Sequence, residues 1–202
     1  MIVRRRDIPL LGFLSTCNRT SLKKKILDCG AGGRSPPLAI FHENGYECHG
    51  IEISKSRMKP AQNYAEKNEL KLNIILGDMR TLPYEDESFS FVFSHHTIHH
   101  MKKTDIKKSI KEMERVLVSE GLLFVNIPSV ERSDYGRGEE VGKGEFINRR
   151  SGRDSFHSYF EDDEADSYFE KTKIIHKMKW YLLKSEEWTD GLVMLEYITR
   201  KK

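Results

Sequence analysis

Long apolar runs are missing from this 202-residue chain. No stretch approaches the roughly 18 to 20 apolar residues that span a bilayer, so no membrane partner is expected. Cysteine is scarce. Cys17, Cys29 and Cys48 make an odd count without C-x-x-C spacing, which argues against a disulfide framework or a thiolate zinc site and points to a reducing, cytoplasmic setting. A surplus of one charge is missing too. The 34 Lys and Arg against 31 Asp and Glu leave +3, short of the basic stripe of a dedicated nucleic-acid domain. The short basic runs Arg4-Arg5-Arg6, Lys23-Lys24-Lys25 and Arg149-Arg150 read as solvated faces. Internal repeats and low-complexity tracts are also absent. A secretory leader is only weakly mimicked at the start: the apolar part after Arg6 is short, Pro9 interrupts it, and no small-x-small site follows. Residues 1–24 are therefore expected to form an N-terminal helical segment packed on a single domain, 1–202.

What is present is an alternation. Apolar residues, 38% of the chain, come in short blocks among interleaved charges. Strands are expected at Lys25 to Cys29, Tyr46 to Ile53, Leu72 to Leu76, Ser88 to Ser94 and Leu122 to Ile127. Between them, Ser35 and Ser54 can cap helices, Asn44-Gly45 can end the first, and Ile106, Ile110, Met113 and Leu117 make an i, i+4, i+7, i+11 stripe. Strands alternating with amphipathic helices imply parallel β-α-β units, an α/β fold. The glycine-rich, charged segment 129–160 reads as a long loop, a lid or insert over the active site. A short helix is expected over Glu161 to Phe169, and two strands, Thr172 to Leu183 and Gly191 to Thr199, close the chain.

Three acidic residues fall at the ends of successive strands. Asp28 opens Asp28-Cys29-Gly30-Ala31-Gly32-Gly33, where glycines let the backbone turn and approach a ligand. A carboxylate there suits an ammonium group and would repel a pyrophosphate. Glu52, 24 positions later, can accept from both ribose hydroxyls. Asp78, in Gly77-Asp78-Met79-Arg80, can accept from an adenine amino group. Each alone could be a cap or a turn residue; the set of three points to one ligand.

The stretches ILDCGAGG, GIEIS, GDMRTLPYEDESFSFVFS and GLLFVNIP resemble the successive motifs of class I S-adenosylmethionine-dependent methyltransferases, type 11 subgroup, over about Lys25 to Ile127. The resemblance implies a Rossmann-like, seven-stranded, mostly parallel sheet with helices on both faces and an antiparallel C-terminal strand. It implies S-adenosyl-L-methionine as cofactor. Asp28 and the backbone of Gly30, Ala31 and Gly32 would hold its methionine end, Glu52 and Ile53 the ribose side, and Asp78 and Met79 the adenine, while Ser94 and His95 would border the methyl group. The family loop commonly carries a third glycine where this chain has Arg34: either the loop takes a different path, or Arg34 points outward, or, as a cofactor-binding residue, it pairs with the cofactor carboxylate.

His95-His96-Thr97-Ile98-His99-His100 is the most unusual stretch. On a helix, His95 with His99 and His96 with His100 would be zinc-competent i, i+4 pairs, but no third ligand is evident and no metal is expected. His95 or His96 is expected to take a proton from the acceptor, with His157 a second candidate. The acceptor is expected to be a small molecule, and Arg132, Arg137, Arg149, Arg150 and Arg153 favour an anionic one. Other readings stay open: a tRNA-modifying methyltransferase, a nicotinamide-dependent oxidoreductase (whose G-x-G-x-x-G would need glycine at Ser35), or a cofactor-binding module without turnover.

Overall fold

The computed structural model describes residues 7–150, 153–182 and 191–202. Arg4-Arg5-Arg6, Gly152 and Leu183 lie outside the described residues, as do the side chains of Arg150 and Arg153. The elements run α1 (Ile8–Asn18), β1 (Lys25–Cys29), α2 (Leu38–His42), β2 (Glu47–Glu52), α3 (Lys55–Lys67), β3 (Ile74–Leu76), β4 (Phe89–Ser94), α4 (Lys103–Val116) and β5 (Leu117–Pro128). Then come β6 (Glu139–Gly142), β7 (Glu145–Arg150), β8 (Arg153–Ser158), β9 (Thr172–Leu182) and β10 (Leu192–Lys201). Two short 3-10 turns, Ile98–His100 and Asp166–Tyr168, complete the set.

The main sheet has seven strands in the order β3-β2-β1-β4-β5-β10-β9. The first five are parallel, and β10 pairs antiparallel with both β5 and β9. All six residues of β4 are buried because both faces of this central strand are covered. One face carries α1 to α3. There Leu10, Phe13, Leu14 and Cys17, on one stripe of α1, pack with Phe41, Phe93 and Phe124. The other face carries α4, whose Ile106, Ile110 and Met113 meet Val92, Leu123 and Val125. Among the described residues no helix is long and apolar enough to cross a membrane.

Several local expectations shift for visible reasons. α2 begins after Pro37 rather than at Ser35, because an i+3 bond from Ala39 N to the Pro36 carbonyl precedes it. β3 starts at Ile74 rather than Leu72, since Asn73 sits at φ 45° and breaks the extended backbone. α4 passes directly into β5 at Leu117, and the tight turn before Gly121 leaves no room for a side chain. A Cβ at Gly121 would lie 2.8 Å from the Val118 carbonyl oxygen and 2.9 Å from that of Ser90. The expected helix over Glu161 to Phe169 is instead a chain of i+3 bonds ending in the second 3-10 turn, with Lys177 and Lys179 gripping Asp162, Asp163 and Asp166.

Segment 129–160 is the main correction. It is not one long loop but holds a three-stranded antiparallel sheet, β6-β7-β8. Gly144, at φ 70°, makes the turn from β6 to β7. This inserted sheet docks on the chain just past the first 3-10 turn. Ser158 Oγ donates to the Met101 carbonyl at 2.7 Å, and the Lys103 backbone N–H donates to Glu145 Oε1 at 2.5 Å.

Candidate cofactor and active site

Parallel strands end on one edge, and the strand-end residues collect there. Gly30, at φ +116°, turns the chain off β1, and a Cβ on it would collide with Thr97. Gly33 turns again at φ +109°. A Cβ on Gly32 would collide with the Glu52 carboxylate and lie 2.9 Å from Arg57 Cβ. The loop N–H groups are largely committed. Those of Gly30 and Ala31 donate to the Ile51 carbonyl at 2.9 and 3.0 Å, and that of Gly33 donates to the Arg57 carbonyl at 2.9 Å.

Two cavities meet at Gly30 and Thr97. One, of about 120 Å³, is bordered by Gly32, Gly33, Arg34, Arg57, His95 and His96 among others. The other, of about 40 Å³, is bordered by Glu52, Ile53, Asp78, Met79 and Met101. Most of the expected residues therefore assemble: Gly30, Gly32, Arg34, His95 and His96 around the first, Glu52, Ile53, Asp78 and Met79 around the second.

Asp28, Ala31 and Ser94 sit beneath this surface and border neither cavity. Ser94 is fully buried and its Oγ donates to the Cys29 carbonyl at 2.9 Å, tying the ends of β4 and β1 together. Asp28 is 2% exposed, and its Oδ2 is buried with no hydrogen-bond partner. Burial, then the nearby Glu52 charge, push its carboxyl well above the usual range. A buried acid pair of this kind accommodates a ligand that brings positive charge and hydroxyl donors.

Glu52 accepts from the Ser54 backbone N–H at 2.9 Å and faces Arg57 Nε at 3.7 Å. Asp78 is differently engaged. Arg80 donates to it from its backbone N–H and through its guanidinium, at 2.6 to 3.0 Å, and also pairs with Asp105. The Arg80 contacts hold the Asp78 carboxyl below its ordinary value.

The histidines do not form an α-helix. His96 sits at φ 51°, a left-handed conformation uncommon outside glycine. Its backbone N–H donates to Asn126 Oδ1 at 2.7 Å, which leaves Asn126 Nδ2 to donate to His95 Nδ1 at 3.1 Å. With Nδ1 accepting, the neutral ring carries its proton on Nε2, which faces Asp7 Oδ1 at 3.5 Å. Asn126 thus poses both histidines. Its replacement by leucine is expected to cost about 1–3 kcal/mol, because the buried His95 ring nitrogen and the half-buried His96 N–H lose this partner. Urea unfolding of Asn126→Leu measures this, and a loss under 1 kcal/mol would show that the contacts are replaceable.

Thr97, Arg57, Asp7 and Asn126 went unnoticed in the sequence. Only Asn126 left a signal, as the lone polar residue inside the apolar strand Leu122 to Ile127. The described lid arginines do not border the cavities: Arg132 pairs with Asp134 at 2.8 Å and Arg149 with Glu139 at 3.1 Å.

Residues 27–125 match the family model described as a methyltransferase domain. Over this stretch the chain is similar to that methyltransferase family, and its fold is the class I methyltransferase fold. It is 28% identical over 139 residues to the uncharacterized methyltransferase YcgJ of Bacillus subtilis, covering 68% of this chain and 51% of that protein. It is 34% identical over 104 residues to ajmaline N-methyltransferase of Rauvolfia serpentina, covering 50% of this chain and 35% of that one. The chain thus spans about half or less of these curated relatives. In fold it matches a SAM-dependent methyltransferase structure from Methanosarcina mazei with a TM-score of 0.77 at 20% identity, over 93% of this chain and 96% of that one. Of the readings left open by the sequence, the family match favours a methyltransferase over a nicotinamide enzyme.

Proposed function

We propose that this chain transfers the methyl group of S-adenosylmethionine to a small-molecule acceptor seated beside His96. The observation that carries the reading is the buried Asp28 carboxyl, with its orphaned Oδ2, beside Glu52 under the glycine turn. Asp28 and the Gly30–Gly32 backbone would hold the methionine end, Glu52 and Ile53 the ribose side, and Met79 with Asp78 the adenine. Arg34, exposed at the mouth of the first cavity, is assigned to the cofactor carboxylate, since most loop N–H groups are already taken. When bound, the cofactor supplies a methyl already activated by the sulfonium charge.

What remains for the protein is alignment of a nucleophile and exclusion of water. His95 is held by Asp7 and Asn126, which suits it to positioning; the acceptor's departing proton is assigned to His96. An apolar groove of about 770 Å³, a usual size for a ligand site, runs between α1 and the β9–β10 pair. Phe124, Met178 and Trp180 line it, and the Trp180 ring meets His96 edge-on at 6.4 Å. This groove gives an apolar acceptor a path to His96, and the name of the Rauvolfia relative is that of an enzyme acting on a small molecule. Arg132 and Arg149, paired with Asp134 and Glu139, lend an anionic acceptor no support.

Calorimetric titration with S-adenosylmethionine, its demethylated product and NADH tests the cofactor. The first two are expected to bind and NADH not. Binding of NADH alone would overturn the reading. A methyl-transfer screen of apolar amines and alcohols, with tRNA at two salt concentrations as the contrast, then tests the acceptor. Salt-sensitive methylation of tRNA alone would overturn the small-molecule assignment.

A further inference from the structure

We propose that His99, His100 and His157 form a binding site for one first-row divalent transition cation of the zinc type, which clamps the inserted sheet to the end of β4. The three rings come from two distant segments. His99 and His100 lie on the 3-10 turn after β4, and His157 lies on β8. One ring nitrogen of each lies within 4.8 Å of the other two. Ring centroids are 4.3 Å apart for His99 and His100, 4.7 Å for His100 and His157, and 5.8 Å for His99 and His157.

Two further observations point at a ligand. His99 is 3% exposed, and its Nδ1 is buried with no hydrogen-bond partner. A buried ring nitrogen without a partner is costly, and a cation is one way to satisfy it. His100 is already oriented as metal-bound histidines are. Its Nδ1 lies 3.1 Å from the Phe156 carbonyl, which can only accept, so the proton is on Nδ1 and the lone pair on Nε2. Burial also keeps His99 and His157 neutral, His157 down to about 4, which is the state a metal requires.

Three neutral imidazoles with no carboxylate suit zinc, cobalt or nickel and not magnesium or calcium, which take oxygen ligands. Zinc–nitrogen bonds of about 2.0–2.1 Å in a tetrahedron put ligand nitrogens about 3.4 Å apart. From the present separation of within 4.8 Å, rotation about the side-chain torsions has to draw the nitrogens together to reach that spacing. A fourth position stays open to water or an anion. The site thereby revises the expectation of no metal: the missing third ligand was His157, and the pairs are not i, i+4 on a helix. It stands independently of the methyl acceptor.

The test uses the full chain, stripped with a chelator and titrated with Co²⁺ by visible absorption and with Zn²⁺ by calorimetry and melting, with Mg²⁺ as contrast. One equivalent of Co²⁺ with a tetrahedral spectrum is expected, together with a higher melting temperature under Zn²⁺ and no response to Mg²⁺. Removing even an outer-shell partner costs 10–100-fold in affinity. His157→Ala and His100→Ala, at half-buried and exposed positions, are therefore each expected to weaken Zn²⁺ binding at least ~100-fold. Their folding is checked by circular dichroism, and His176→Ala, on exposed β9 surface, serves as the control that keeps full binding. The proposal is overturned if the wild type binds no stoichiometric Co²⁺ or Zn²⁺, or if both site variants bind as the wild type does.

Discussion

Glu52→Ala will weaken S-adenosylmethionine binding by at least ~100-fold while the fold is kept. The carboxylate is 5% exposed at the end of β2, held by the Ser54 backbone N–H and faced by Arg57. Hydrogen bonds to a charged acceptor contribute about 1.5–3 kcal/mol each, and two ribose hydroxyls would make two of them. Their loss exceeds the 2.8 kcal/mol or so that a 100-fold change requires. Glu52→Gln separates charge from contact. It keeps an oxygen for the Ser54 N–H, removes the repulsion that helps raise the Asp28 carboxyl, and is expected to bind better than Glu52→Ala but below wild type. Calorimetry reads both, and equal affinity in all three proteins would remove Glu52 from the ribose.

Glu196→Gln is expected to stabilise the protein at pH 8 by up to about 3 kcal/mol. Glu196 lies on β10 opposite Asn126, is 2% exposed, and accepts from the Trp180 indole N–H. Burial pushes its carboxyl from 4.5 to about 7, with the Trp180 bond opposing the rise. The native state therefore holds this proton more tightly than the unfolded chain. Its contribution is fully present below about pH 4.5, is lost as pH rises through 7, and stays lost above. The gap between the two values corresponds to roughly 3 kcal/mol. Glutamine keeps an acceptor for Trp180 and carries no charge at any pH. His99 and His157, held neutral by burial, act in the opposite direction as pH falls, so the difference between wild type and variant isolates Glu196. Urea midpoints at pH 5 and pH 8 give that difference. Parallel pH profiles would show that water already reaches the carboxylate.

The parts of the molecule legible from sequence are those governed by local period. Phe91 and Phe93 share one face because β4 is a strand, though a shift in register puts Phe89 in the opposite core; Ile106, Ile110 and Met113 recur because α4 buries one stripe. Strand ends locate Asp28, Glu52 and Asp78, so their gathering at one edge of the sheet was readable as well. What escaped is non-local or exposed on both faces. β6 to β8 form a small outlying sheet whose charged residues show no apolar alternation, so Glu139 to Ser158 read as loop. Asn126 gains its meaning only when β5 brings it beneath His95 and His96, and His157 only when β8 folds back onto the first 3-10 turn. Arg80 lies two residues from Asp78, yet no local rule says that its guanidinium closes on that carboxylate.

The cavity beside Met79 has a consequence in time. At about 40 Å³ it is narrow for a ring system, and Thr97, Met101 and the Arg80-clamped Asp78 are among the residues that line it. For the adenine proposed to bind here to enter, those walls must part. Association then proceeds in two phases, a rapid contact followed by a slower opening, and its observed rate levels off as ligand concentration rises. If the demethylated product leaves past the same walls, the expected result is a burst of methylated product in the first turnover followed by a slower steady rate.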